Sequence, residues 1–440
     1  MTGMKALSLC LAAGVVAACG SGDFTTGLTL DRVVAISDGD YLASTYADGI
    51  LPPAEAGHRD LLTTTGIIDG IVRTQEIEIS NSVTAAPEVL ALSPDGSTAF
   101  VAERLGRRGS GDTMAGQLPP GNQLAAVRIS EENTMTVAAS ATIAPAPEAI
   151  AVSPDGHHIA VVSNSAEATR LQLIPWSGTA FGTPADFDLA GLGITGNSPG
   201  PRGGVLATNV QWHPGGRALA VNITTQDRVA FFSVDARPNG TVAVAPWGAP
   251  VRTGPDPFVG RFTPDGRHYL TSDWGRDLAA TTLADRLPSD RSKLGVIRLG
   301  EPGTTARHRV VATADTDKSA EGLAISPDGT HIATVNMRGS AFPPGSPGYD
   351  EYASVTLLRM DGATGAVTKI GDYPLRGVLP EGGAFDPTGE YFLATVFQGR
   401  GPQDPGPGIE IFRVGSDEQP GLTPVQRIPL PHGVHHVAVG

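Results

Sequence analysis

Residues 149–161 read Ala-Ile-Ala-Val-Ser-Pro-Asp-Gly-His-His-Ile-Ala-Val, and this stretch decides the fold. Two runs of small and β-branched apolar residues flank a Ser-Pro-Asp-Gly turn. Proline fixes the φ angle of the first turn position, aspartate bonds to nearby backbone amides, and glycine takes the left-handed conformation that closes the turn. The stretch therefore predicts two antiparallel strands joined by a tight hairpin.

The same unit recurs along the chain at a nearly constant interval. The copies occupy residues 89–101, 149–161, 210–221, 259–271, 322–335 and 383–395, and their turn prolines are Pro94, Pro154, Pro214, Pro264, Pro327 and Pro387. The prolines are separated by 60, 60, 50, 63 and 60 residues. One supersecondary unit repeated at a long, fixed period is typical of a repeat architecture.

Further strand patterns follow each hairpin, for example at residues 124–129, 229–234 and 409–414. Four strands per period make one propeller blade, and no segment has sustained helical periodicity. Residues 33–46 repeat the hairpin pattern without its proline, and residues 435–439 read as an innermost strand. We therefore predict an all-β, seven-bladed β-propeller whose ring is closed by N- and C-terminal strands, with eight blades as the alternative.

These repeats, with tails such as Gln-Asp-Arg-Val-Ala-Phe-Phe-Ser-Val-Asp at residues 226–235, resemble the YVTN/lactonase-like group of seven-bladed propellers. The resemblance covers roughly residues 30–440. It implies the fold, and it implies lactone-converting activity of the kind found in 6-phosphogluconolactonases and muconate-lactonising enzymes. In lactonase members, His, Arg and Glu side chains lie on the loops of the top face.

The N-terminus resembles a bacterial lipoprotein signal. Lys5 precedes an apolar run over residues 6–18, which is too short to span a bilayer, and small residues stand before Cys19. We predict a signal peptide at residues 1–18, a lipid on Cys19, a tether over residues 19–29 and a single propeller domain over residues 30–440. Acyl chains bound to Cys19 would hold a soluble body on the membrane.

The lipid signal predicts the bacterial cell envelope, on the periplasmic side of the outer membrane or at the cell surface. Lys and Arg number 31 and Asp and Glu number 45, which gives a formal net charge of −14 at pH 7. Such an acidic chain does not favour nucleic acid as a partner. The expected partners are the membrane, through Cys19, and a small-molecule or protein ligand on the top face.

One position of the repeat is acidic in four of the six hairpin copies. The residues six positions before the turn prolines are Glu88, Glu148, Thr208, Phe258, Glu321 and Glu381, and His435 takes the corresponding place at the C-terminus. If these residues face one opening, their charges must be relieved by raised pKa values or by a bound cation. Ca²⁺ or Mg²⁺ suits such oxygen donors, so we predict a metal site formed by Glu88, Glu148, Glu321 and Glu381. The alternative is that each glutamate caps backbone amides or pairs with arginine.

The loops after the second strand of each repeat supply further candidates, because long loops on a compact ring often carry function. The predicted ligand-binding residues are Glu88, Glu381, Glu103, Arg104, Asn164, Asn222, Asp273, Asn336 and Arg338. Arginine is suited to a carboxylate or a lactone carbonyl, which is why Arg104 and Arg338 belong to this set. Neutralisation of the glutamates is the alternative for both.

Two functions follow from these patterns. The first is a membrane-anchored propeller that binds a ligand or protein partner through its top face. The alternative is a lactonase-like hydrolase or isomerase at the channel mouth, with or without a metal, in which Glu148, Glu321 and His435 are the catalytic residues. The enzyme hypothesis predicts that Glu148→Gln or Glu321→Gln abolishes turnover without unfolding the protein.

Overall fold

The computed structural model describes residues 30–440 except residues 31, 69–70, 83–87, 199–200, 237–240, 281–282, 302–306 and 402–403. These residues form seven antiparallel sheets, each with a path of four consecutively paired strands. The seven innermost strands contact one another in a closed ring, so the predicted seven-bladed propeller is confirmed and the eight-bladed alternative is excluded. The predicted signal peptide, Cys19 and the tether over residues 19–29 lie outside the described residues.

The blades are given with their strands in order from the channel outward. Blade 1 contains β4 (Leu90–Leu92), β5 (Thr98–Ala102), β6 (Gln123–Ile129) and β7 (Met135–Thr142). Blade 2 contains β8 (Pro147–Val152), β9 (His158–Asn164), β10 (Thr169–Pro175) and β11 (Ala185–Asp188). Blade 3 contains β12 (Ala207–Trp212), β13 (Ala218–Ile223), β14 (Arg228–Ala236) and β15 (Val242–Pro246), with β16 (Val251–Arg252) also on β14.

The remaining blades follow the same order. Blade 4 contains β17 (Pro257–Phe262), β18 (His268–Asp273), β19 (Lys293–Arg298) and β20 (Arg309–Asp315). Blade 5 contains β21 (Ala320–Ile325), β22 (His331–Asn336), β23 (Ala353–Met360) and β24 (Val367–Leu375). Blade 6 contains β25 (Gly383–Phe385), β26 (Tyr391–Val396), β27 (Gly408–Val414) and β28 (Leu422–Pro429). Blade 7 contains β29 (Val434–Val439), β1 (Val33–Ser37), β2 (Leu61–Ile68) and β3 (Ile71–Glu78).

The helices are short and lie in the loops. They are α1 (Thr45–Asp48), α2 (Leu283–Arg286) and the 3₁₀ turns Ala54–Ala56, Ala115–Gln117, Pro201–Gly204 and Thr224–Gln226. None of the helices among the described residues is long and apolar enough to cross a membrane.

The Pro-Asp-Gly turns have the geometry that the sequence predicts. In the first copy, the Asp95 carboxylate accepts a hydrogen bond from the Ser93 hydroxyl at 2.5 Å and from the Ser97 amide at 3.1 Å. Gly96 has a φ of +66°, which is the left-handed conformation that glycine adopts without strain. These turns define the bottom face of the ring. The opposite, top face is where the innermost strands begin and where the loops between second and third strands lie.

The ring closes as predicted, but the first hairpin does not form. β1 pairs with β29 and with β2, so N- and C-terminal strands share blade 7. The prediction of a hairpin over residues 33–46 is wrong, because the segment after β1 has no Pro-Asp-Gly turn and leaves the sheet. Residues 39–60 instead run over the top face, where Tyr41 and Leu51 pack into the hydrophobic cluster that also contains Phe258 and Leu379.

Candidate active site

The acidic repeat position coincides with a β-bulge at the top of the innermost strands. The extra residues on the bulged strands are Glu148, Thr208, Phe258, Glu321 and, in β29, His435. Glu88 and Glu381 stand two residues ahead of β4 and β25. A bulged residue is left out of the ladder and its side chain is re-aimed, so equivalent positions approach different neighbours.

Glu321 and Glu381, in neighbouring blades, share a cavity of about 200 Å³ at the top face. Their residues are only 3% and 1% exposed. The Tyr46 hydroxyl, on α1, donates to Glu381 Oε1 at 3.2 Å, while Oε2 of each glutamate has no hydrogen-bond partner among the described residues. The other lining residues are Tyr41, Thr45, Trp274, Arg276, Arg286, Leu287, Met337 and Leu379.

Arg276 forms the cationic wall of this cavity, and Asp256 fixes its position. The guanidinium Nε and Nη2 donate to the two Asp256 carboxylate oxygens at 2.7 and 3.0 Å. The same guanidinium lies 4.4 Å from the ring centre of Phe258 and 4.2 Å from that of Trp274. Bidentate pairing and contact with two aromatic faces hold the group rigidly. The cavity therefore has a cation with a fixed orientation.

Burial controls the charge state of the two cavity glutamates. Burial raises the pKa of Glu321 to about 8, with Arg276 opposing the shift and Asp256 reinforcing it. Burial also raises the pKa of Glu381 well above its ordinary value, and repulsion from Glu321 adds to the effect. Strongly perturbed carboxyl groups in a cavity are candidates for acid–base chemistry. At neutral pH the pair therefore holds protons that exposed glutamates would have lost.

Glu88 belongs to a different arrangement inside the channel. Its Oε1 accepts a hydrogen bond at 2.8 Å from Nη2 of Arg261, which reaches it from blade 4 across the channel. His436 Nδ1 lies 3.9 Å from the same oxygen. Burial opposes ionisation, but Arg261 and His436 outweigh it and lower the pKa of Glu88. The three groups lie at the inner end of a bottom-face channel cavity of about 460 Å³.

Glu148 and His435 are also separate from the shared cavity. Glu148 Oε1 accepts a hydrogen bond from Arg104 Nη2 at 2.8 Å, which matches the alternative of neutralisation by arginine. His435 is buried, and its Nε2 lies 3.0 Å from Asn81 Oδ1. Its burial lowers the pKa of His435 well below the ordinary value. In β29 it is His436, not His435, that lines the channel.

Four of the predicted ligand-binding residues use their polar side chains for hydrogen bonds within or between the blades. Their hydrogen-bond partners are Ala207 for Asn164, Tyr269 for Asn222, Gly254 and Thr271 for Asp273, and Ser354 and Thr356 for Asn336. Glu103 accepts from the Asn122 amide, and Arg338 pairs with Asp350 at 2.8 Å. Arg338 lines a neighbouring top-face cavity of about 310 Å³. None of these residues, nor Arg104, lines the cavity shared by Glu321 and Glu381.

An acidic triad, rather than the four glutamates, is the group that suits a cation. Carboxylate oxygens of Asp38, Asp40 and Asp60 lie within 4.8 Å of one another, and no other group of this kind occurs among the described residues. Burial and the neighbouring Asp40 raise the pKa of Asp60 to about 7. Three carboxylates are a donor set that Ca²⁺ or Mg²⁺ accepts. The sequence predicts a metal site formed by Glu88, Glu148, Glu321 and Glu381, but the carboxylates of these residues do not lie together at one point.

Sequence reasoning missed Tyr46, Asp256 and Arg276. Arg276 follows the predicted ligand-binding residue Asp273 by three positions, but nothing in the sequence distinguishes this arginine from its neighbours. Asp256 stands two residues before the bulged Phe258, in a left-handed conformation with a φ of +58°. A non-glycine residue in that conformation is uncommon and merits inspection, but the conformation is visible only in the structure.

Comparisons with known proteins agree with the architecture. A family model described as "Lactonase, 7-bladed beta-propeller" matches residues 72–399. The fold is similar to a periplasmic gluconolactonase of Pseudomonas aeruginosa, with 17% identity, a TM-score of 0.61, and coverage of 93% of this chain and 99% of the other. A functionally unknown protein of Desulfotomaculum acetoxidans has 11% identity, a TM-score of 0.61, and coverage of 93% and 98%. None of the curated protein sequences compared with the chain matches it.

Proposed function

Because the chain belongs to the lactonase family of seven-bladed β-propellers, we propose that it hydrolyses a lactone in the cavity shared by Glu321 and Glu381. The observation that carries the proposal is this pair of buried carboxyl groups beside a guanidinium held by Asp256. Two carboxyl groups with raised pKa values supply a base and an acid, and the guanidinium supplies fixed positive charge.

The proposed reaction uses each group at a defined atom. Ionised Glu321 accepts a proton from water, and the water oxygen bonds to the lactone carbonyl carbon. Arg276 stabilises the oxyanion that develops, because Asp256 occupies Nε and Nη2 and leaves Nη1 outside that pairing. The ring C–O bond then breaks, and protonated Glu381 donates its proton to the leaving alkoxide, which gives the hydroxy acid.

Tyr46 and the apolar lining prepare the cavity for this reaction. Tyr46 packs edge-on against Tyr41 and Phe397, with ring centres 5.4 and 6.5 Å apart, and holds Glu381 through its hydroxyl. Trp274, Met337 and Leu379 give part of the cavity an apolar lining. A site of low polarity strengthens the interaction of the guanidinium with a developing negative charge. In this proposal Tyr46 is a positioning residue.

The family assignment and the cavity support the hydrolase hypothesis better than the binding hypothesis that the sequence favoured. A binding surface formed by the long top loops requires exposed recognition groups, whereas Asn164, Asn222, Asp273 and Asn336 hold the blades together. The cavity, in contrast, contains Glu321 and Glu381, whose pKa values are raised. Their contacts give no structural reason for burying these two carboxyl groups. Perturbed groups of this kind cluster at catalytic sites.

We also propose that the protein is lipid-anchored through Cys19 in the cell envelope. The lipobox-like sequence supports the anchor, and a periplasmic structural relative is consistent with export. β1 begins at Val33 opposite Val439, and Arg32 Nη1 donates to the Gly96 carbonyl of a bottom-face turn. A tether that joins the ring at the bottom face would direct the catalytic cavity away from the membrane.

The proposal is tested by lactone hydrolysis with purified protein, corrected for the spontaneous rate. We expect Glu321→Gln and Glu381→Gln each to lower kcat by about 10²- to 10⁴-fold, the usual contribution of a general acid or base. Exposed Glu131→Gln is the matched control and should retain full activity. Glu148→Gln tests the residue predicted from sequence alone. Full activity in both cavity variants, or no hydrolysis of any lactone by the native protein, would refute the proposal.

A further inference from the structure

We propose that the bottom-face channel cavity is a second ligand-binding site, which takes a small molecule with an apolar body and an uncharged carboxamide head group. The cavity has a volume of about 460 Å³, which is within the usual range for small-molecule sites. Of the described residues that line it, none lines the cavity that contains Glu321 and Glu381. This inference goes beyond lactone hydrolysis, because it concerns the opposite face of the ring.

Small side chains at one position of the repeat keep the channel open. The residues three positions before the turn prolines, and the matching residue of β29, all line the cavity. They are Ala91, Ala151, Gln211, Arg261, Ala324, Ala384 and Ala438. Alanine in five of these seven places leaves space near the axis, while Gln211 and Arg261 place the polar groups in blades 3 and 4. Larger apolar side chains, among them Leu92, Val152 and Phe385, line the same cavity. A ligand therefore meets apolar walls around most of the ring.

The inner end of the cavity has hydrogen-bonding groups that the protein leaves unused. Arg261 donates from Nη2 to Glu88 Oε1 at 2.8 Å and from Nη1 to the Gly260 carbonyl at 3.0 Å, whereas a guanidinium carries five N–H donors. The ion pair involves Oε1 and leaves Glu88 Oε2 outside it. His436 is 6% exposed, and its buried Nδ1 has no hydrogen-bond partner among the described residues. Because buried polar atoms are nearly always satisfied, these groups favour a ligand that both donates and accepts hydrogen bonds.

The charges at the inner end disfavour an ionised head group. Arg261 and Glu88 balance each other, and burial lowers the pKa of His436, which keeps its imidazole neutral at pH 7. A carboxylate would lie beside ionised Glu88 and an ammonium group beside Arg261, so either one would leave a buried charge uncompensated. A carboxamide carries its acceptor and its donor on separate atoms. Its carbonyl can accept from Arg261 while its N–H donates to Glu88, and both are hydrogen bonds to charged groups, which are stronger than those between neutral groups.

The test is isothermal titration calorimetry with three probes that share one body: 3-phenylpropanamide, 3-phenylpropanoate and 3-phenylpropylammonium. We expect saturable binding of the amide at one site, tighter than that of either charged probe by about tenfold or more. Equal or tighter binding of a charged probe would overturn the assignment of the head group. A lack of saturable amide binding would overturn the site. Glu321→Gln should bind the amide as wild type does, and a loss there would place the ligand in the top-face cavity instead.

Variants of the wall test whether the ligand occupies the channel. Ala91→Leu in blade 1 and Ala384→Leu in blade 6 each fill part of the space and should weaken amide binding by about tenfold or more, because overpacking excludes the apolar body. Ala138→Leu, at an exposed position of the outermost strand β7, is the matched control. Unchanged binding in the wall variants, with wild-type circular dichroism spectra, would contradict the proposal.

Glu88→Gln tests the role of the ion pair in selecting the head group. The variant leaves Arg261 without its carboxylate partner, so it should reverse the order of the probes and bind 3-phenylpropanoate more tightly than 3-phenylpropanamide. Exposed Glu131→Gln is the control and should keep the wild-type order. A folded Glu88→Gln variant that still prefers the amide would show that Glu88 has only a structural role, which would overturn the charge argument.

Discussion

Glu321→Gln should stabilise the fold in alkaline solution while it removes the activity. Glu321 is 3% exposed, and burial raises its pKa from 4.5 to about 8. Below pH 4.5 the side chain is protonated in both the folded and the unfolded chain and has no effect on their balance. Between pH 4.5 and about 8 the unfolded chain ionises while the folded chain stays protonated, so the wild-type protein loses stability as the pH rises. Glutamine does not ionise, so the Glu321→Gln variant does not lose stability in this way as the pH rises.

The size of the effect follows from the shift. Each pKa unit is worth about 1.4 kcal/mol, so the ionisation of Glu321 costs the wild-type protein roughly 4–5 kcal/mol of unfolding free energy above pH 8. Relative to wild type, Glu321→Gln should therefore be nearly neutral at pH 4.5. It should be more stable by several kcal/mol at pH 9. That is a large fraction of the stability of an ordinary domain.

The assay is urea unfolding followed by tryptophan fluorescence at pH 4.5, 7 and 9 for both proteins, with Glu131→Gln as the exposed control. The difference between variant and wild type removes the contributions of buried acids that titrate in both proteins, such as Asp60 and Asp273, and reports the ionisation of Glu321 together with its repulsion of Glu381. The same group should appear in catalysis. The wild-type kcat/KM should rise with pH and level off near pH 8, where Glu321 becomes the ionised base.

A difference in unfolding free energy that does not change between pH 4.5 and 9 would refute the reasoning. It would mean that Glu321 ionises in the folded protein near its ordinary pKa. A pH–rate profile that is already flat from pH 5 would lead to the same conclusion from the catalytic side. The control variant should show no pH-dependent difference, because Glu131 is exposed to solvent in the folded protein.

Arg276→Ala should lower kcat/KM by about 10²- to 10³-fold in steady-state kinetics, because the fixed cation is lost and Asp256 is left without it; unchanged kinetics would remove the guanidinium from the mechanism. Arg261→Ala should destabilise the protein by about 3 kcal/mol or more in urea unfolding, since Glu88 stays buried as an unpaired charge. Adding Glu88→Gln to that variant should recover part of the loss, and no recovery would argue against the cross-channel ion pair. Cys19→Ser should move the protein from the membrane fraction to the soluble fraction on cell fractionation; membrane retention would contradict the lipid anchor.

The repeated hairpins could be predicted from the sequence because each one is determined by residues that are close together in the chain. Each Ser-Pro-Asp-Gly turn sets its own backbone geometry, and each hairpin exposes an apolar face that it cannot bury alone, so the copies must stack. The seven equivalent positions from Glu88 to His435 were aligned for the same reason. The hairpin predicted at residues 33–46 failed where that local cause was missing, since the segment after β1 lacks the turn.

The partners of those positions were not predictable, because they depend on distances between blades. Arg261 meets Glu88 across 173 positions in the chain, and Tyr46 meets Glu381 across 335. A bulge re-aims each side chain, and the neighbour that it meets depends on which loop covers that part of the ring. Equivalent sequence positions thus became ion pairs with arginine at Glu148 and Glu88 but a pair of buried carboxyl groups in one cavity at Glu321 and Glu381.

By itself, the sequence determined the repeated hairpin, the closure of the ring by N- and C-terminal strands and the repeated position at the head of each innermost strand, and it favoured seven blades over eight. These depend on the period and on turn chemistry, which act within a few residues. Only the tertiary structure decided which carboxyl groups remain charged and which share a cavity. The energy of a buried charge depends on the groups and the solvent within a few ångströms, and in a closed ring those groups come from distant parts of the chain.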